Sequence, residues 1–195
     1  MSQGRPLEFD PEVALQAAME VFWAKGYEAS SLQDLISAMR ISKSSFYQAF
    51  GSKHQLFEAC LVRFREQQVE RMTVALDGAQ SGMAFLRFFL VSLADEVRTT
   101  EPSKGCLIIN TATELAGRDP SVATLVQQGT CAFMAILERA VKRAQKEGSV
   151  GKQKDPKTLS QFLLALLAGM KAMVKAGASA RTVEDVAEVA LSALK

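Results

Sequence analysis

Residues 31–57, SLQDLISAMRISKSSFYQAFGSKHQLF, decide the fold. Ser31-Leu32-Gln33-Asp34 is a capping box that opens a short helix ending near Met39. Ser42 caps a second, Lys43 to Ala49, and Ser52 begins a long one that runs through about Thr73. The first two are too short to stand alone, because helix nucleation is costly and roughly 12–15 residues are needed for marginal stability in water. Packing must hold them, and Leu35, Ile36, Met39, Ile41, Phe46 and Phe50 supply the apolar contacts. Two short helices joined by a tight turn and braced by a longer one form a helix-turn-helix.

The polar residues of the same stretch suit a polyanion. No Asp or Glu occurs from Leu35 through Phe57, while Arg40, Lys43 and Lys53 are basic and Ser42, Ser44, Ser45, Tyr47 and Gln48 can donate hydrogen bonds. Such groups position a protein on phosphates, and a few can read base edges. Net charge gives no support, since residues 1–54 hold five Lys/Arg against six Asp/Glu. The argument rests on placement, with the acids confined to residues 8–34.

Outward from this stretch the chain reads as all-α, with about nine helices. Asp10 and Pro11 start the first, Val13, Ala14, Ala17, Ala18, Val21 and Phe22 form its apolar stripe, and Gly26 ends it. Later helices are expected over Gly82–Val97, Gly105–Ala116, from Pro120 or Ser121 to Glu147, and over Pro156–Ala176, with a last one capped by Thr182. The composition is that of an ordinary globular protein: 195 residues, 48% apolar, formal charge +2. Three Cys without C-x-x-C spacing and a single His argue against a zinc site, and no cofactor is expected. Met1–Pro6 lacks the apolar run of a secretory signal, and Phe162–Val174 is too short to span a bilayer. A cytoplasmic protein with reduced thiols is expected.

Residues 14–56 resemble the TetR family of bacterial transcription regulators. The likeness is carried by Phe22, Gly26-Tyr27, Ser30-Ser31, Leu35, Ile41-Ser42-Lys43, Phe46-Tyr47, Phe50, Ser52-Lys53 and Leu56. It implies a DNA-binding domain over residues 1–54 and an effector-binding and dimerisation domain over 55–195. It also implies that Lys43, Ser44, Tyr47 and Gln48 face the major groove, with Gln33 in reach of a base, and that Ser31, Ser45 and Lys53 hold phosphates. Ser42 joins this set as cap and donor. Arg40 stands where the family usually has Gly in the turn, so either the turn is distorted or Arg40 takes a left-handed conformation.

For the larger domain the resemblance implies a small-molecule pocket, which draws Phe85, Phe89, Met134 and Met170 into the candidate lining. Cys106, Asn110 and Thr113 recur at helical spacing with Glu114 adjacent, polar groups that need partners if buried. Cys106, at a helix start after Lys104-Gly105, is expected to have a lowered pKa and to react with electrophiles or oxidants. The last two helices carry excess apolar surface: Leu163, Leu166, Leu167, Met170, Met173 and Val174 with Ala165, Gly169 and Ala172, and a stripe from Val183 to Leu194. They are expected to build a homodimer that straddles a near-palindromic duplex operator. The expected function is a ligand-responsive transcription regulator, a repressor and not an enzyme. The alternatives are a cysteine-based sensor on the same scaffold and a helical small-molecule-binding protein without DNA binding.

Overall fold

A computed structural model describes residues 9–99 and 103–195. The reading of Met1–Pro6 lies outside the described residues. Among the described residues the chain forms nine α-helices and no strand: α1 (Pro11–Lys25), α2 (Leu32–Met39), α3 (Lys43–Phe50), α4 (Lys53–Gly78), α5 (Gly82–Arg98), α6 (Leu107–Glu114), α7 (Pro120–Lys146), α8 (Pro156–Lys175) and α9 (Ala180–Leu194). Their starts follow side-chain chemistry. The carboxylate of Asp10 accepts from the backbone N–H of Glu12 at 2.8 Å, with Pro11 following where a missing N–H costs nothing. Asp119 and Asp155, each followed by Pro, do the same for α7 and α8.

Three helices differ from expectation by more than one residue. Helix α4 continues past Thr73 because Met72 and Leu76 are buried and packing carries it on. Helix α6 is shorter than predicted: Gly105 has φ +71°, which no helix tolerates, so Cys106 becomes the N-cap, and the helix stops at Glu114. The cap of α9 is Ser179, whose hydroxyl accepts from the Thr182 N–H at 3.1 Å; Thr182 sits one turn inside.

Helices α1–α3 pack with the start of α4 around Ala18, Phe22, Leu35, Phe46, Leu56 and Phe57, all essentially inaccessible to solvent. The rings of Phe22 and Phe57 meet edge-on at 4.9 Å. Burying each such side chain contributes roughly 1.5–3 kcal/mol, which is what makes two eight-residue helices persist. Helix α4 then leaves this unit and lies along α7, while α5 packs on α9 and α7 on α8. The approach of α5 to α7 is close enough to require Gly82, since a Cβ there would lie 2.5 Å from the carbonyl oxygen of Ala140.

Helices α7 and α8 are long and apolar enough to cross a bilayer by length and composition alone, a test that the core helices of a bundle also pass. Both pack into the bundle, α7 burying Val122, Val126, Phe133, Ile136, Leu137 and Val141.

Candidate functional site

The turn between α2 and α3 is where the sequence departs most from its expected pattern. Arg40 adopts φ 55° and ψ 41°, the left-handed region, and its N–H reaches the carbonyl of Ser37 at 3.3 Å. The turn is therefore not distorted; a bulky residue occupies a glycine conformation, at a cost of roughly 1–2 kcal/mol. Beyond it, Ser42 caps α3 through the Ser45 N–H at 3.1 Å, and the hydroxyls of Ser44 and Ser45 lie 2.9 and 2.8 Å from that of Ser42.

Helix α3 has two faces. Phe46 is fully buried and Phe50 half-buried, whereas Lys43, Ser44, Tyr47 and Gln48 are exposed on the other side. Tyr47 is 48% exposed, standing edge-on to Phe46 at 5.3 Å with its hydroxyl end free of hydrogen bonds among the described residues. Gln33, also exposed, donates to the Ser37 hydroxyl at 3.2 Å. Ser31 is already engaged: its hydroxyl accepts from the Asp34 N–H and donates to the Asp34 carboxylate. A hydrogen bond from Lys25, with further donors at Ser31, holds the Asp34 carboxyl down at about 2. Lys53 lies 4.3 Å over the ring of Tyr27 at the start of α4, its ammonium held by a cation–π contact.

Two carboxylates of the larger bundle grip this unit. Glu114, at the end of α6, accepts from the backbone N–H of Tyr27 at 3.1 Å and of Glu28 at 2.9 Å. Gly26 makes this possible: its φ is +84°, and a Cβ there would lie 2.9 Å from a Glu114 oxygen. Asp119, in the α6–α7 connection, sits 2.6 Å from Nε2 of His54, and that contact foremost pulls its carboxyl to about 2.

Behind these clasps lies a cavity of about 670 Å³, walled by α1, α4, α5, α6, α7 and α8. Its apolar wall includes Trp23, Phe64, Phe85, Phe89, Phe133 and Leu167. Phe85, Phe89 and Cys106 of the expected set reach it. Asn110, Thr113 and Glu114 face a separate small cleft beside Gly26. Asn110 donates to the Lys104 carbonyl at 2.8 Å, and the Thr113 hydroxyl bonds back to the Asn110 carbonyl. Met170 is buried in the core and Met134 half-buried, neither on the cavity wall. Helical spacing put Cys106 and Asn110 on one face, but Cys106 is a cap outside the helix, so the periodicity does not extend to it.

Cys106 is half-buried on the cavity wall, and desolvation there opposes the lowered thiol pKa expected of a helix start. Desolvation pushes the Cys106 pKa up, outweighing the Ile108 and Ile109 amides and the Lys171 charge that favour the thiolate. Cys60 is buried, and Cys131 is exposed.

The sequence reading missed Trp23, Gln68, Arg71 and two ion pairs on the cavity wall. The pairs are Lys104–Glu20 at 2.7 Å and Lys171–Glu96. A signal existed: Phe64, Gln68, Arg71, Met72 and Ala75 fall on one face of α4, so two polar residues interrupt an otherwise apolar stripe.

The α9 stripe Val183, Ala187, Ala190, Leu191 and Leu194 is buried within the protomer, as are Leu163, Met170 and Val174 of α8, which corrects their assignment to a subunit interface. What remains open is a different α8 face: Phe162 and Met173, 41% and 37% exposed, with Ala165, Leu166, Gly169 and Ala172. Val189 of α9 is exposed as well, and a Cβ on Gly169 would meet nothing within 4 Å.

Comparison with known proteins agrees with this architecture along the whole chain. The pattern of the bacterial regulatory proteins of the tetR family matches residues 14–60, and that of the tetracyclin repressor-like C-terminal domain matches residues 82–190. The chain is 29% identical over 192 residues to the HTH-type transcriptional regulator YezE of Bacillus subtilis, covering 98% of this chain and 99% of that one. It is 28% identical over 191 residues to the HTH-type transcriptional repressor ComR of Escherichia coli, covering 97% and 91%. A solved structure of the TetR family regulator CifR, a cysteine mutant complexed with 26-bp operator DNA, superposes with a TM-score of 0.85 at 30% identity, covering 98% of this chain and all of the other. A helix-turn-helix clasped to a helical bundle, matched at both ends by the family's patterns, makes this chain a member of the TetR family of DNA-binding transcription regulators.

Proposed function

We propose that the protein is a dimeric repressor that binds a near-palindromic duplex operator and leaves it when a small molecule fills the cavity, acting in the cytoplasm as a binding protein and not an enzyme. The observation that carries this reading is the two-sided α3, with Phe46 buried beneath and Lys43, Ser44, Tyr47 and Gln48 outside on a stretch free of acids. Side chains of these types read base edges, with the α3 start, Ser45 and Lys53 on phosphates. Two copies joined through the open α8 face and Val189 would present two such helices to successive half-sites.

The route from effector to DNA is short. Glu20 and Trp23 belong to α1, so the cavity wall is partly made by the DNA-reading unit itself. A ligand that fits the cavity better in one arrangement of α1, α4 and α6 shifts that equilibrium and weakens DNA binding by the same coupling energy. Glu114 and the His54–Asp119 contact transmit the shift, because they tie the α6–α7 region to both ends of the reading unit. The competing reading as a thiol sensor needs an ionised Cys106, against which burial works.

Selection of bound duplexes from a random pool tests the proposal. A two-fold symmetric consensus, with retention lost in Lys43→Ala, is the expected result. An asymmetric or absent consensus, or a protein that sediments as a monomer at micromolar concentration, overturns it.

A further inference from the structure

The charges on the cavity wall are unequal in their partners. Glu20 is bonded to Lys104 and Glu96 to Lys171, so both carboxylates are spoken for. Arg71 lines the same cavity and has no carboxylate or carbonyl partner among the described residues. Gln68, one turn earlier on the same face of α4, is half-buried and equally without a hydrogen bond among the described residues. The third group is the indole N–H of Trp23. It is shut off from solvent and finds no acceptor among the described residues. An orphaned buried donor of this kind costs roughly 1–3 kcal/mol, and natural interiors rarely keep one without a reason.

The groups without a protein partner thus share one character. An exposed guanidinium, a carboxamide and a buried indole N–H all offer donors, and apart from the hydroxyls of Ser92, Thr99 and Ser103 the rest of the wall is mostly aromatic and aliphatic, with Phe64, Phe85, Phe89, Leu93, Phe133 and Leu167. Among the described residues a cationic ligand would find no free carboxylate here. A purely apolar one would leave Trp23 and Arg71 as they are.

Building on the effector-cavity reading above, we infer that the cavity takes an amphipathic anion, an apolar body carrying a carboxylate that is received by Arg71, Gln68 and the indole N–H of Trp23. Because that N–H is shut off from solvent, an acceptor gains it only as the ring turns. The ring packs edge-on against Phe64 at 5.1 Å and its ammonium neighbour Lys104 lies 5.6 Å away, so turning it disturbs α1 and α4 together. Ligand capture and motion of the DNA-reading unit become one event.

Trp23 is the only tryptophan, so its fluorescence reports directly on the cavity. The test titrates three ligands with one body and different heads: cyclohexylbutanoate, cyclohexylbutanamide and cyclohexylbutylammonium, each transparent where indole absorbs. The butanoate is expected to bind roughly tenfold more tightly than the amide, since hydrogen bonds to charged groups are the stronger kind, and the ammonium more weakly still. Arg71→Met, at an exposed position that folding does not depend on, is expected to bring butanoate and amide within roughly threefold of each other. Trp23→Phe, followed by calorimetry, is expected to weaken the butanoate while keeping it ahead of the ammonium. Equal binding of all three heads, a preference for the ammonium, or an anion preference untouched by Arg71→Met overturns the inference and leaves the cavity as an effector site of other chemistry. If none of the three perturbs Trp23 or releases heat at millimolar concentration, the effector-cavity reading falls and this inference with it.

Discussion

The exposed face of α3 and the cavity behind α1 are built in opposite ways. The first is convex and local: five turn and helix residues, Ser42, Lys43, Ser44, Tyr47 and Gln48, put their side chains outward because Phe46 points in. The second is concave and assembled from six helices, with contributions from Glu20 to Lys171. A convex face needs only one helix and one anchor, so its residues can change type without disturbing the fold. A cavity wall shares its residues with the core, so function and stability are drawn from the same side chains there. Phe85 illustrates this: it lines the cavity, stacks on Phe89 at 5.7 Å and is buried throughout.

The contrast can be broken most sharply at two adjacent residues. Phe46→Ala removes a fully buried ring and is expected to cost about 3–5 kcal/mol in denaturant unfolding. Tyr47→Ala, its neighbour on the exposed side, is expected to stay within about 0.5 kcal/mol of the parent. In operator binding Tyr47→Ala should lose roughly tenfold or more, as removal of a base-reading side chain does. Were Tyr47→Ala to unfold the protein as Phe46→Ala does, α3 would have no free face and the distinction between the two regions would vanish.

A smaller effect compares the inside of the reading unit with its attachment to the bundle. Asp34 and Asp119 both have carboxyls held at about 2, against 3.8 for the free side chain, the first by Lys25 and the second by His54. A carboxylate whose folded pKa is depressed adds stability that is fully present above the unfolded value and is lost as pH falls through the folded one. Stability should therefore decline between pH of about 4 and about 2, and both Asp34→Asn and Asp119→Asn should flatten that decline. Only Asp119→Asn should also loosen the two regions from each other, seen as faster amide exchange at the start of α4 with α2 unchanged. Equal exchange in both variants would mean that the His54–Asp119 contact holds nothing together.

How much of this was legible in the sequence follows the same division. The caps at Asp10, Ser31, Ser42 and Ser52 and the apolar anchors of α2 and α3 are short-range features, written within four residues of where they act, while at Arg40 the sequence left a distorted turn and a left-handed residue both open. Residues that meet across the fold were not legible. Glu114 reaches Tyr27 across 87 positions, and Lys104 reaches Glu20 across 84, distances over which periodicity carries no information. Cys106 shows the limit of local rules even at close range: a helix N-terminus lowers a thiol pKa only when burial does not oppose it, and burial is a property of the whole bundle. The α9 stripe misled for a related reason. An apolar face is visible in sequence, but whether it meets α5 of its own chain or a second copy depends on where α5 lies.

The smallest effect tests a local rule alone. Arg40 is the sole non-glycine residue with positive φ among the described residues, and it sits between the two short helices. Arg40→Gly removes the clash between Cβ and the following carbonyl but frees the unfolded chain, so the two changes partly offset and the net gain should be about 0.5–1 kcal/mol. Arg40→Ala removes the same charge and keeps the Cβ, so it should show no such gain in the same unfolding experiment. The pair separates backbone from charge: a rise in both variants would assign the effect to the guanidinium, and a rise in neither would mean that the contacts of Ile41 with the core make the left-handed turn comfortable. A rise in Arg40→Gly alone means that this chain keeps a strained turn next to the helix proposed to read DNA, where a positive charge would serve binding to phosphates and a glycine would serve only the fold.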